Sequence, residues 1–360
     1  MRFVIRSAEP SDLSYLYQLA GQAPLVNLPP DKVIIKRKIE RSKRSFAADS
    51  PPMDAEYVFV LEDLFSHRVI GTSLILAHYA SEECPHFYLD VLHRTGTDGN
   101  ASKGPRGGCL RLGSDRGGIS AVGGLVLDVN YRGQKLGRSI SLIRFVYMCM
   151  FPERFERTIL SELMGPMTTQ QVNPFWEALG KRFTGLSYEQ AFQMATQKRK
   201  DFLSGFPNED ISLSRLNPEI CPCRERVVSG SGQAEQHLLE SVGFHYLDRV
   251  DPLDGGIMYG ALLDEISIVR EGAFFKAAPA DPDTCQNSAL VGVVREGQFR
   301  GGAFPIDVSS HTASLPEDAL SSLCLTNGDK VCVAPSTDTK VRGGASSNLI
   351  FLQCAPGSQR

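Results

Sequence analysis

Residues 121–151, AVGGLVLDVNYRGQKLGRSISLIRFVYMCMF, constrain the chain most. Leu125, Val126, Leu127 and Val129 form an apolar run broken only by Asp128, which reads as a strand. A tight basic loop follows, Tyr131-Arg132-Gly133-Gln134-Lys135-Leu136-Gly137. Beyond it Leu136, Ile140, Ile143, Tyr147 and Met150 recur at spacings of four, three, four and three, as on one face of a helix. A glycine-bearing loop that opens a helix aims several backbone N–H groups at one point, where the helix dipole favours negative charge. That is a place to hold a pyrophosphate, with Arg132, Lys135 and Arg138 adding charge and Gly133 and Gly137 shaping the turn. The competing reading is an ordinary strand–turn–helix with a solvated basic loop, because short glycine motifs also arise by chance.

At 360 residues the chain can bury a substantial core, and one large domain plus a smaller one suits that length. Hydrophobic content of 42% and charged content of 22% indicate a soluble globular protein. A net charge of −3 gives no basic field for nucleic acid. The nine cysteines are scattered and odd in number, which suits reduced thiols better than a disulfide framework. No apolar run approaches the ~20 residues that span a bilayer. The opening MRFVIRSAEP lacks a signal-type apolar region. The expectation is a cytoplasmic protein with no membrane partner.

In chain order, Phe3-Val4-Ile5 reads as a strand, and Leu13, Leu16, Tyr17 and Ala20 line a helix. A second helix after Pro29-Pro30-Asp31 carries Lys32, Lys36, Arg37, Lys38, Arg41, Lys43 and Arg44, read as a solvated face. Residues 57–61 and 68–77 read as a hairpin, and 86–92 as a further strand. Residues 94–120 hold eight glycines and little apolar content, and read as a long surface loop or lid. Residues 158–164 read as the next strand, so that a crossover places two parallel strands side by side. In such sheets ligands sit at the carboxyl ends of the strands. If the first strand splays from the second, a slender extended ligand can insert between them. Residues 173–183 read as a helix capped at Gly180, 188–203 as another, and 204–233 as a long connection. Cys221-Pro222-Cys223 has too few ligands for a structural zinc site, so no metal is expected. Residues 234–244 read as a helix ending at Gly243, and Asp254-Gly255-Gly256 as the turn of a hairpin. The division expected is a large α/β domain at 1–276, a small β-rich part at 285–336 after a Pro/Asp-rich hinge, and a loose tail at 337–360.

Several words carry a family resemblance. Leu125, Leu127, Asp128, Tyr131, Arg132, Gly133 and Gly137 resemble the CoA-binding arm of acyl-CoA N-acyltransferases, with Lys135 where a middle glycine is usual. Ile5-Arg6, residues 57–63, Pro174-Phe175-Trp176 with Leu179-Gly180-Lys181-Arg182-Phe183, Gly243-Phe244 and Asp254-Gly255-Gly256 follow in an order similar to the arginine N-succinyltransferase family. The resemblance covers most of the chain. It implies a mixed α/β sheet of the acyl-CoA N-acyltransferase (GNAT-like) kind, flanked by helices, with a small C-terminal β-rich appendage. It also implies an enzyme of arginine catabolism that moves succinyl from succinyl-CoA to the α-amino group of L-arginine, with a main-chain succinyl-CoA contact at Leu125. The place of the family's proton-donating histidine falls at Ser229, and the nearest histidine is His237.

Acyl transfer to an amine needs a neutral amine, donors for the tetrahedral oxyanion and a thiolate able to leave. The backbone at Leu125, Val126 and Leu127 is the candidate for pantetheine and oxyanion, and Arg132, Gly133, Gly137 and Arg138 for the pyrophosphate. Glu162 is the candidate acceptor of the amine proton, with Ser229 and His237 as alternative proton carriers. Asp254 or Asp251 would face a guanidinium, and Arg182 or Arg111 a succinyl carboxylate. Cys149 and Cys109 read as small buried hydrophobes, not nucleophiles. Two further readings stand beside succinyl transfer to arginine. One is acyl transfer to another amino acid such as ornithine, and the other a non-catalytic CoA-binding subunit. A homo- or hetero-oligomer is expected because apolar edge strands need cover.

Overall fold

A computed structural model describes residues 1–23, 25–49, 51–93, 108–170, 172–197, 201–213 and 232–336. The chain opens with β1 (Phe3–Ser7), α1 (Leu13–Ala20) and α2 (Lys32–Phe46). The hairpin β2 (Glu56–Asp63) and β3 (Arg68–Leu76) follows, then the antiparallel pair β4 (His86–His93) and β5 (Gly108–Asp115). Next come β6 (Ile119–Leu127), α3 (Leu136–Met150) and β7 (Thr158–Glu162). A π-helical turn, Trp176–Gly180, runs into α4 (Lys181–Thr184), followed by α5 (Tyr188–Thr196), the short β8 (Ile211–Ser212) and α6 (Gly232–Ser241). The hairpin β9 (His245–Val250) and β10 (Ile257–Leu262) leads to α7 (Ser267–Glu271). The chain then forms β11 (Ala273–Ala280), β12 (Asn287–Arg295), β13 (Gln298–Val308), β14 (Thr312–Pro316), α8 (Glu317–Ser322) and β15 (Lys330–Pro335).

The described strands join in one order, β12-β15-β11-β14-β13-β1-β2-β3-β6-β7-β10-β9-β4-β5-β8. This is a mixed sheet, with β6 and β7 parallel and their outer neighbours β3 and β10 antiparallel to them. At one end β13 also pairs with β12, so β11 to β15 close on themselves as a small barrel with its own core around Val291, Phe304, Leu315 and Val333. The barrel starts at Ala273, ahead of the Pro/Asp-rich stretch at 277–284. It shares the main sheet through β1, which pairs with β13 at Ile5↔Gly301 and with β2 along its whole length.

Each helix is fixed by local chemistry. Asp31 caps α2, accepting from the Val33 and Ile34 N–H groups at 2.7 and 3.0 Å. The buried Ser42 and Ser45 hydroxyls accept from the Val58 and Glu56 N–H groups and pin α2 to β2. In α3 every residue from Ile140 to Met148 is buried, because the sheet covers one side and α7 and the barrel the others. Gly180 lies inside helical backbone at φ −58, and the left-handed cap is Gly185 at φ 71 instead. A Cβ on Gly180 would fall 2.1 Å from the Trp176 ring, so that glycine serves close packing.

One other expectation changes. Part of the presumed loop at 94–120 is strand: β5 covers 108–115, with Cys109 and Leu110 buried. Its glycines sit where side chains cross, since a Cβ on Gly113 would fall 2.5 Å from the Tyr88 ring. Residues 94–107 lie outside the described residues, as does the tail from 337. No helix among the described residues is long and apolar enough to cross a membrane.

Candidate active site

The parallel pair β6 and β7 opens into a fork. Their register runs from Ile119↔Thr158 to Val122↔Ser161 and ends there. Beyond that point β6 follows β3 as far as Gly71↔Leu127, while β7 follows β10 to Met258↔Glu162. The parting coincides with a β-bulge on the β3 side, where Gly124 takes a left-handed φ of 58. Leu125, Val126 and Leu127 therefore run along an edge that β7 does not cover.

Both faces of the fork are closed by side chains. On one face the carboxamide of Asn27 lies so near that a Cβ on Gly123 would meet Asn27 Nδ2 at 2.2 Å. On the other the wholly buried Arg144 donates from Nη1 to the Gly123 carbonyl at 3.4 Å, and from Nε and Nη2 to Ser141 at 2.7 Å each. Burial pulls its guanidinium down to about 10, with Glu235 acting in the opposite direction. Below the fork the basic loop leads into α3. Lys135, where a middle glycine is usual, takes the left-handed conformation that glycine prefers, at φ 59, and Gly133 does so at φ 82. The Arg138 and Ser139 N–H groups donate to the Lys135 carbonyl at 3.2 and 3.3 Å, and those of Leu136 and Gly137 stand ahead of that ladder, at the end of the helix that favours an anion.

A cavity of about 600 Å³ adjoins the fork. Asn27 and the α2 cations Arg37, Lys38 and Arg41 line part of it; Tyr79, His86, Glu162, Asp251 and Asp254 line another part. Glu162, at the end of β7, is held from both sides. The Tyr79 hydroxyl donates to its Oε2 at 2.8 Å, and His86 Nε2 lies 2.7 Å from its Oε1. Burial, and then the Glu162 carboxylate, push the Tyr79 hydroxyl well above its usual range, so it stays a donor. Asp254 Oδ1 and Oδ2 accept the Gly256 and Gly165 N–H groups at 2.7 and 3.0 Å. Those donors favour the carboxylate, but burial and the neighbouring Asp251 outweigh them and raise the Asp254 carboxyl to about 8. The two glycines beside Asp254 are dictated by close approach. A Cβ on Gly165 would fall 2.0 Å from the Asp254 carbonyl oxygen, and one on Gly256 2.1 Å from that of Leu163.

The structure thus brings Glu162, Asp251 and Asp254 to one cavity, and sets Leu125, Val126, Leu127, Arg132, Gly133, Gly137 and Arg138 along the fork and its loop. It does not bring in the others. His237 is exposed on α6, and Arg182 is exposed on α4. Arg111 pairs with Asp210 at 2.7 Å. Ser229 lies outside the described residues. Sequence reasoning missed Tyr79, His86 and Asn27, and set Arg37, Lys38 and Arg41 on a solvated face. Ion pairs of Lys38 and Arg41 with Glu56 hold two of these three cations at the cavity. Among the described residues no three His, Cys, Asp or Glu side chains converge as a metal site.

Residues 3–268 match the family model described as arginine N-succinyltransferase beta subunit. The arginine N-succinyltransferase of Enterobacter sp. (strain 638) is 30% identical over 308 residues, covering 82% of this chain and 87% of that one. That of Escherichia coli (strain 55989 / EAEC) is 28% identical over 339 residues, covering 91% and 96%. The structure of arginine/ornithine succinyltransferase subunit AI from Pseudomonas aeruginosa shares the fold, with a TM-score of 0.78 over 93% of this chain and 98% of that chain at 24% identity.

Proposed function

The chain belongs to the arginine N-succinyltransferase family, and on that premise we propose that it transfers succinyl from succinyl-CoA to the α-amino group of L-arginine by direct attack in a ternary complex. The observation that carries the mechanism is the fork, which opens beside a cavity lined by carboxylates. Pantetheine runs along the uncovered edge at Leu125, Val126 and Leu127, whose backbone also meets the thioester oxygen. The pyrophosphate rests on the loop from Arg132 to Arg138 at the start of α3. The guanidinium of arginine goes to Asp254 and Asp251, since a buried carboxyl with a raised pKa ionises readily only beside a cation. A carboxylate, from the succinyl group or the amino acid, goes to Arg37 on the α2 wall.

Glu162 then takes a proton from the ammonium, the free amine attacks the thioester carbonyl, and the thiolate leaves. Holding amine and thioester in reach supplies much of the rate, with ~7–11 kcal/mol available from orientation. A positioned base adds about 10²–10⁴-fold. Ornithine is the second acceptor to consider, because its side-chain ammonium suits the same pair of aspartates.

The test is CoA-thiol release from succinyl-CoA with L-arginine, run beside acetyl-CoA and L-ornithine. Release that needs both succinyl-CoA and arginine, and falls about 10²-fold or more in Glu162→Gln, is the expected result. No release with any pair, while calorimetry still detects CoA binding, would leave only a CoA-binding subunit.

A further inference from the structure

The acid wall of the cavity holds a further polar group besides its carboxylates. Tyr188 opens α5 and lines the same cavity as Asp251 and Asp254. It is half-buried, and its hydroxyl makes no hydrogen bond to a described residue. Burial first, then Asp254 and then Asp251, push that hydroxyl above its usual range, so it stays neutral within the field of both acids. The tyrosine and the acid turn are tied to the same buried pair. Asn173 donates from Nδ2 to the Asp254 carbonyl at 2.9 Å, and its Oδ1 accepts the Trp176 N–H at 2.6 Å. Trp176 donates from Nε1 to the Leu186 carbonyl at 3.0 Å, and both residues are wholly buried. Ser187 then caps α5: its hydroxyl accepts the Gln190 N–H at 3.2 Å while Gln190 Oε1 accepts the Ser187 N–H at 2.9 Å. One turn further on, the Phe192 ring lies 6.1 Å from that of Tyr188. Tyr188 and Asp254 therefore keep their relative places without a ligand between them.

The two carboxylates are already shared with the backbone. Both Asp254 oxygens accept N–H groups, and Asp251 Oδ1 accepts those of Leu253 and Asp254 at 2.6 and 3.2 Å. A guanidinium spreads five N–H donors over one plane, where an ammonium has three on a single atom. A neutral hydroxyl oxygen adds lone pairs for that wider group without adding a third negative charge. We propose that Tyr188 sets the preference for the acceptor's side chain: its hydroxyl oxygen accepts an N–H of a terminal guanidinium nitrogen, while Asp254 and Asp251 balance the charge. This rests on the acyltransferase reading above and adds what tells arginine from ornithine. Ornithine ends at the atom that corresponds to Nε of arginine, two bonds short of the terminal nitrogens. Tethered by its α-amine at the thioester, it meets the carboxylates and stops short of the hydroxyl. A tyrosine that only shaped the cavity would serve both amino acids alike, and that difference makes the two roles separable.

The experiment compares kcat/KM for L-arginine and for L-ornithine, both with succinyl-CoA, in the wild type and in Tyr188→Phe. Phenylalanine keeps the ring and its packing on Phe192 and removes only the hydroxyl. The expected wild type prefers arginine. In Tyr188→Phe the value for arginine should fall about 10-fold or more, chiefly through KM, while that for ornithine stays within about twofold. Retained ornithine turnover is then the control for an intact fold, with thermal melting beside it. A wild type without the preference, an equal fall for both acceptors, or no fall for arginine would each overturn the assignment. A wild type that releases no thiol with either acceptor would instead overturn the acyltransferase reading. In that event calorimetry with L-arginine and L-ornithine decides for the subsite alone. A preference for arginine that Tyr188→Phe abolishes would uphold it; the same preference in both proteins, or binding of neither amino acid, would sink it too.

Discussion

Asp254 serves two opposed needs. Its carboxyl is raised by burial first and by Asp251 second, so the ligand-free site binds its proton tightly. A guanidinium requires the ionised form. Arginine binding should therefore strengthen as pH rises through about 8 and should release a proton below that value. Calorimetry in two buffers of different ionisation enthalpy reads that proton directly; equal heats would remove Asp254 from the acceptor site. The stability sign is the opposite. A folded-state carboxyl raised above its unfolded value binds protons more tightly when folded, so its contribution is full below about pH 4 and is lost as pH climbs towards the folded value. Asp254 and Glu162 were legible in the sequence because each ends a recognisable element, a turn and a strand. His86 was not: it meets Glu162 across 76 positions, and only the placing of β4 near β7 creates the pair. Asn27 and Arg37 were hidden likewise, since a side chain that looks solvated along a helix or loop can line a cavity once the sheet is in place.

At the scale of elements, the fork is a property of β6 and its loop. Gly124 combines a left-handed φ of 58 with a Cβ position 2.6 Å from Leu74 Cδ2. Gly124→Ala should cost about 1–3 kcal/mol, from the backbone penalty of a left-handed non-glycine residue and the forced shift of Leu74. Thermal unfolding measures that loss, and the affinity for succinyl-CoA should fall with it. An alanine protein with unchanged melting and unchanged CoA affinity would mean that the bulge does not shape the fork. The loop makes a different prediction. Arg132→Ala with Arg138→Ala should raise KM for succinyl-CoA by about 10-fold or more, and leave KM for a succinyl-pantetheine thioester alone, because only the full cofactor carries the pyrophosphate. The strand–loop–helix around 121–151 was readable because its periodicity changes sharply at the glycines. β5 was not, because Gly108 and Gly113 resemble loop residues in sequence and act as clearance for Leu213 and Tyr88 in the sheet. The helix cap was misplaced at Gly180 for a similar reason: a glycine required by Trp176 reads like a terminator.

For the whole molecule, the C-terminal barrel is stitched to the main sheet twice. β1 lies between β2 and β13, and α3 packs against both the sheet and the barrel, where Cys332 Sγ lies 3.8 Å from Cys149 Sγ. A chain ending at residue 272 would uncover one edge of β1 and one side of α3. Such a protein should be largely insoluble, or melt far below the full chain, and full-length protein should unfold in one calorimetric transition. A soluble fragment of native melting temperature would show the barrel to be dispensable. The closed pairing of β1 also bears on time. Its two neighbours are made at opposite ends of synthesis, β2 almost at once and β13 only when position 308 has been added. At about 5–20 residues per second, β1 waits on the order of tens of seconds with one edge open. Made before every other described strand, β1 is among the last to be fully paired, and during that interval the nascent chain depends on whatever shields a bare strand edge.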